Sequence, residues 1–142
     1  MTDLTGRCLC GACTFTARPG GPLGAGACHC GMCRKWSGGM FLSVDCGETV
    51  RFAEDAPTAS YKGSQWGERI FCSQCGSSLL WQAQEGTHQH VSIHCFDDPE
   101  QFEIAVEVFH DRKPANYALA GERRTMTEAE VFAMFAPEGE AQ

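Results

Sequence analysis

Positive charge is scarce in this 142-residue chain: 11 Lys and Arg stand against 18 Asp and Glu, a formal net charge of −7. A surface for nucleic acid or an anionic membrane needs a basic patch. The one dense basic cluster, Arg123-Arg124 with Arg112-Lys113 upstream, has acidic neighbours and reads as a solvated face. No nucleic-acid or membrane partner is expected. The chain also lacks an apolar run long enough to span a bilayer. Its start, MTDLTGRC, has neither the basic nor the apolar region of a secretory signal. These absences predict a cytoplasmic protein whose thiols stay reduced. Repeats, low-complexity tracts and convincing linkers are missing too, so one domain over residues 1–142 is expected.

Cysteine is what the chain has in excess, with ten residues. Around them lie short runs rich in β-branched and aromatic residues: CTFTA, MFLSVDC, TVRFA, ERIFC, SSLLWQA, HVSIHC and IAVEVF. Gly, Asp or Pro punctuates most of the gaps, which predicts strands. The Gly/Pro-rich stretch ARPGGPLGAGA, residues 17–27, reads as a loop. Thr127 and Glu130 form a capping box before an apolar stripe of Val131, Phe132 and Phe135, which predicts a short C-terminal helix. Pro99 opens a single turn in DDPEQF. The fold class is therefore mainly β with a late short helix.

Seven cysteines fall at metal-ligand spacings. Cys72-x-x-Cys75 followed by Gly76 is a zinc knuckle, in which the two-residue gap lets both sulfurs face one ion. Its natural partner is Cys8-x-Cys10, since thiols two apart on an extended segment share a face. One tetrahedral zinc is then complete. Cys28, Cys30 and Cys33 remain, with Cys33 returning over a glycine-containing turn. Three protein ligands leave one position vacant, which is how a catalytic zinc differs from a structural one. The same three cysteines also suit a zinc closed by a distant ligand, or reactive thiols without metal. His29 should point away from its two neighbours. His88, His90 and His94 are evenly spaced on one strand face and could supply imidazole ligands, though a polar strand face more often meets solvent. Cys13, Cys46 and Cys95 fit no knuckle and read as packing residues, with Cys95 also a candidate neighbour of the open site.

The motifs GRCLCGACTF, CHCGMCRKWSGGMF, IFCSQCGSSLLW and DDPEQF, in that order, resemble the glutathione-dependent formaldehyde-activating enzyme family, which includes centromere protein V. The match runs from about Gly6 to Pro99. The resemblance implies a β-tent fold of short antiparallel strands and two Zn²⁺ per chain. It implies a structural site at Cys8, Cys10, Cys72 and Cys75 and a substrate-side site at Cys28, Cys30 and Cys33. The implied activity is that of a carbon–sulfur lyase, joining formaldehyde and glutathione as S-(hydroxymethyl)glutathione or cleaving that adduct. A small thiol and a small carbonyl compound are the expected partners. Arg34 and Lys35 could attract glutathione's carboxylates and Trp36 could wall a pocket; they read equally as solubilising charges and a core aromatic. The alternatives to an enzyme are a zinc-stabilised module that binds a protein, and a thiol-based metal or redox buffer. The chain departs from the family pattern at Cys13, at IHCFDDP, and at Lys113-Pro114-Ala115-Asn116, where a tryptophan is usual.

Overall fold

All seven segments read as β-structure form strands in the computed structural model, which describes residues 2–21 and 23–135, the side chain of Phe135 excepted. The strands are β1 (Leu4–Arg7), β2 (Thr14–Ala17), β3 (Ala25–Cys28), β4 (Phe41–Asp45), β5 (Arg51–Phe52), β6 (Thr58–Tyr61), β7 (Gly67–Cys72), β8 (Ser78–Ala83), β9 (His90–Ser92), β10 (Ile104–Val108) and β11 (Arg124–Met126). Two helices, α1 (Gly31–Ser37) and α2 (Glu128–Phe135), accompany them. A three-stranded sheet has the order β1-β2-β5, and an eight-stranded sheet the order β11-β10-β3-β4-β9-β8-β7-β6. The mainly-β class with a short C-terminal helix is thus as expected. The pairing is not wholly antiparallel, because β10 runs parallel to both β3 and β11.

The two sheets enclose the core. Phe15, from the small sheet, meets Phe96 edge-on at 5.5 Å, and Val44, Ile70, Leu80 and Val91 from the large sheet pack into the same cluster. Leu80 and Val91 face each other across β8 and β9. No helix of the described residues is long and apolar enough to cross a membrane.

Two elements depart from the expectation, and both carry cysteines. The Gly/Pro-rich stretch is not all loop: Ala17 ends β2, and Ala25–Cys28 is a strand near the middle of the large sheet. A Cβ on Gly26 would come within 2.8 Å of Val106, so the small residues there reflect close approach of β10 rather than a turn. The glycine-containing turn expected before Cys33 is instead α1. Its N-cap is Cys30, whose Sγ accepts from the Cys33 N–H at 3.3 Å, and Gly38 closes it with φ 78°. A cysteine is not among the usual capping residues, so the start signal was hidden. At α2 the capping box forms as expected: Glu130 N–H donates to Thr127 Oγ1 at 3.2 Å, and Thr127 N–H donates to Glu130 Oε1 at 2.9 Å. Val131 is buried and Phe132 meets Phe109 edge-on, while the side chain of Phe135 lies outside the described residues. Pro99–Gln101 forms the expected single turn, a 3₁₀ helix.

Candidate metal centres

The first centre joins two turns distant in sequence. Cys8 and Cys10 lie in the turn after β1, Cys72 ends β7, and Cys75 lies in the β7–β8 turn. The Cys8–Cys10 pairing comes from that tight turn rather than from an extended segment. Gly76 holds φ 78° and donates its N–H to Cys72 O at 2.8 Å, a backbone bend that a side chain would strain. The four sulfurs all lie within 4.8 Å of one another, with Cys8–Cys10 at 3.6 Å and Cys10–Cys72 at 3.8 Å. A Zn–S distance of about 2.3 Å in a tetrahedron sets sulfurs about 3.8 Å apart, so the donors fit one such ion. Backbone N–H groups also converge on the sulfurs: Cys13 donates to Cys8 Sγ at 3.3 Å, and Gln74 and Cys75 each donate to Cys72 Sγ at 3.4 Å. Hydrogen bonds with the Ser77 side chain and then its backbone bring the Cys75 thiol down to about 5. Such donors favour thiolate over thiol.

The second centre is local. Cys28 ends β3, Cys30 caps α1 and Cys33 lies in the first turn of α1. Their sulfurs also lie within 4.8 Å of one another, and among the described residues no fourth His, Cys, Asp or Glu donor joins the group. Hydrogen bonds with Cys28 and Cys33, then the Cys33 backbone N–H and the charge of Arg69, hold Cys30 far below the ordinary thiol range despite burial. Cys28 is pushed well up by hydrogen bonds with Cys30 and Cys33, and by burial. One thiolate is therefore strongly favoured in the trio and shared by its neighbours. A divalent cation is what would release the remaining protons.

The other sequence candidates are now placed. His29 is fully buried and turned away from the sulfurs, as expected, with its ring between Tyr117 Oη and Glu107 Oε1, each at 2.8 Å. The histidine face does not exist: His88 sits before β9 with φ 53°, His90 is in β9, and His94 is in the 3₁₀ turn Ile93–Cys95. The strand ends at Ser92, and the even spacing ends with it. Cys95 packs beside Cys8, Cys72 and Leu79, so it adjoins the four-sulfur centre and not the three-sulfur one. Cys13 and Cys46 are buried, and burial pushes each thiol up to about 12, as inert packing residues require. Arg34 spends its Nε–H on His29 O at 2.9 Å, Lys35 is exposed, and half-buried Trp36 lies 5.2 Å from the Phe41 ring.

One charged neighbour was missed. Arg69, on β7, is buried, and a guanidinium nitrogen donates to Cys33 Sγ at 3.6 Å. The available signal was an arginine inside the apolar strand ERIFC, three residues before the knuckle.

The comparisons agree with this architecture. A family model described as "Glutathione-dependent formaldehyde-activating enzyme" matches residues 3–112. A Schizosaccharomyces pombe protein named an uncharacterized lyase is 30% identical over 133 residues, covering 93% of this chain and 96% of that one. A Halomonas elongata protein, named as a candidate glutathione-dependent formaldehyde-activating enzyme, is 32% identical over 90 residues, 54% of each chain. A crystal structure of a Rhodobacter sphaeroides protein shares the fold, with a TM-score of 0.55 at 20% identity over 71% of this chain and 97% of that one. With more than half its length matched by the family model, the chain belongs to the glutathione-dependent formaldehyde-activating enzyme family.

Proposed function

We propose that this protein is a carbon–sulfur lyase that forms or cleaves a thiol–carbonyl adduct, of which S-(hydroxymethyl)glutathione from glutathione and formaldehyde is the type. In the forward direction the thiol sulfur bonds to the carbonyl carbon and the carbonyl π pair moves to oxygen. The proton that leaves sulfur ends on that oxygen, so no oxidant or reductant is consumed. The observation that carries this reading is the local group of three sulfurs beside a buried arginine, separate from a four-sulfur group that needs no further ligand.

In this reading Cys8, Cys10, Cys72 and Cys75 hold a structural Zn²⁺, and Cys28, Cys30 and Cys33 hold a second. Bound by three sulfurs, zinc supplies a position at which a thiol ionises near neutral pH or a carbonyl oxygen is polarised. The chain's own residues bind and orient. In the same reading Arg34 and Lys35, on α1 after Cys33, attract the carboxylates of a glutathione-like thiol, and Trp36 serves as an aromatic wall. All ten cysteines are free, which suits a reducing compartment such as the cytoplasm, and we take residues 1–142 to work as one domain. A second reading, a zinc-stabilised module that binds a protein partner, draws on the exposure of Tyr61 and Trp66 around the β6–β7 connection.

The test is exchange spectroscopy on a mixture of glutathione and ¹³C-formaldehyde, with zinc-loaded protein against the Cys30→Ser variant. Faster exchange between free and adducted formaldehyde with the wild type alone supports the lyase. Equal exchange with both proteins and with buffer rejects it in favour of the binding module.

A further inference from the structure

Arg69 is a buried charge. It is 6% exposed, and among the described residues none of the ion pairs includes it. Buried charges are paired or they destabilise the fold, so its counter-charge must lie elsewhere. It donates to Cys33 Sγ at 3.6 Å, and its guanidinium carbon lies 5.1 Å from the centre of the Trp36 ring. Cys33 and Trp36 are three residues apart on α1, so the guanidinium meets the same helix at two points. The base of the side chain cannot drift, because Arg69 is paired on both sides, with Tyr61 on β6 and Trp81 on β8. The structure thus aims a fixed positive charge at the sulfur group and, among the described residues, pairs it with no other anion.

We infer that Arg69 is a positioning residue that sets the ligand preference of the three-sulfur centre, so that the centre favours an anionic fourth donor, a thiolate, over a neutral one. The inference rests on the reading of Cys28, Cys30 and Cys33 as an open metal site. Three thiolates around a divalent cation leave one net negative charge, and the guanidinium cancels it. A thiolate then joins a neutral assembly. Without Arg69 it would join one already negative, in a site where Cys33 is buried and Cys28 and Cys30 are half-buried, so water screens the repulsion only in part. A neutral donor such as imidazole adds no charge and is indifferent to the arginine. The four-sulfur centre makes the contrast: it gathers one more sulfur and is open to water at Cys10, yet among the described residues no arginine or lysine donates to its sulfurs. The arginine stands where a further anion would have to be received.

The test uses the full chain loaded with Co²⁺, whose visible bands report the donors around it. Wild type, Arg69→Gln and Arg69→Lys are titrated with 2-mercaptoethanol and, separately, with imidazole at one fixed pH. The four-sulfur cobalt is already saturated and contributes a constant background. Arg69→Gln should bind the thiol roughly 10- to 100-fold more weakly, the range expected for losing a hydrogen bond to a charged group. Its imidazole affinity should stay within a few-fold of wild type, and Arg69→Lys should keep most of the thiol preference. Should Arg69→Gln not fold, Arg69→Met fills the same slot without charge and is subject to the same expectation. Equal weakening of both ligands would mark Arg69 as merely structural and overturn the inference. Undiminished thiol binding in the uncharged variant would overturn it too, while leaving the open site intact. A wild type that accepts neither ligand would reject the open site and the inference together.

Discussion

The two cysteine groups use the same ligand chemistry and differ in how much chain they tie together. Cys10 and Cys72 are 62 residues apart, so an ion held there closes a loop that includes β2 to β7 and fastens the small sheet to the large one. Cys28 to Cys33 spans one strand end and the first turn of α1. On a logarithmic loop-entropy law, the long closure is worth about 2 kcal/mol more than the short one. Their electrostatics differ too: the joining group is open to water at Cys10 with no cation donating to its sulfurs among the described residues, while the local group, half-buried at Cys28 and Cys30 and buried at Cys33, is answered by Arg69. Ligand spacing therefore tells where an ion sits, separation along the chain tells what it does for the fold, and the charge around it tells what it can receive.

The sharpest break in this comparison is Cys72→Ser. It leaves three sulfurs at the joining site and frees the turn after β1. Structural zinc supplies folding free energy directly. We expect insoluble protein, or a melting temperature lower by roughly 10–20 °C, as a loss of about 5 kcal/mol would give in a chain of this size. Thermal denaturation with metal analysis on the same sample is the check. Cys30→Ser, made in parallel, should leave a folded protein with about one zinc per chain, a melting temperature within a few degrees of wild type, and no exchange activity. If Cys30→Ser unfolds the protein as badly as Cys72→Ser, both groups are structural and the contrast collapses.

Much of this was legible in the chain itself. The knuckle Cys72-x-x-Cys75-Gly76 and the capping box Thr127/Glu130 each carry their geometry within four or five residues, and both form as read. The strand of Ala25–Cys28 was hidden because its small residues answer to β10, a strand some 80 residues away in sequence and paired in parallel. The start of α1 was hidden behind a sulfur cap. Arg69 was invisible for a related reason: only the third dimension brings β7 against α1, and in sequence the arginine is one polar residue in an apolar run. The histidine face failed because periodicity presumes a continuous strand, and β9 stops at Ser92. For Ala25–Cys28 and for Arg69 a distant partner overrode a local pattern; for α1 and the histidines the local pattern itself was misleading.

A smaller effect is expected behind the three-sulfur centre. Glu107 is buried, accepts from His29 Nε2 and from an Arg123 guanidinium nitrogen, each at 2.8 Å, and so anchors the residue between Cys28 and Cys30. Burial pushes its carboxyl up, but hydrogen bonds from Arg123 and His29 prevail and hold it below the ordinary value of 4.5. A carboxyl depressed in the folded state contributes stability above its unfolded pKa and loses it as pH falls through the folded one. Glu107→Gln should therefore cost about 1–3 kcal/mol at neutral pH. The gap in melting temperature between variant and wild type should close as the pH is taken below the ordinary carboxylate range. A gap that stays constant down to the acid limit would show that packing, and not the charge, is what Glu107 contributes.

The smallest expected effect is also the one that checks the ligand assignment. His90 is half-buried with its ring 5.9 Å from Trp81, and His94 is exposed on a 3₁₀ turn, so neither is gathered with a sulfur group. Seven cysteines already supply the donors for both centres. His88→Ala combined with His90→Ala should leave the zinc content of the purified protein unchanged. His90→Ala on its own should lower the melting temperature by only a few degrees, for the aromatic contact with Trp81 that it gives up, worth about 1 kcal/mol. Loss of a whole equivalent of zinc would mean that an imidazole completes one of the centres. The three-sulfur group would then be closed, and with it would go the difference between a site that holds the fold and a site that receives a substrate.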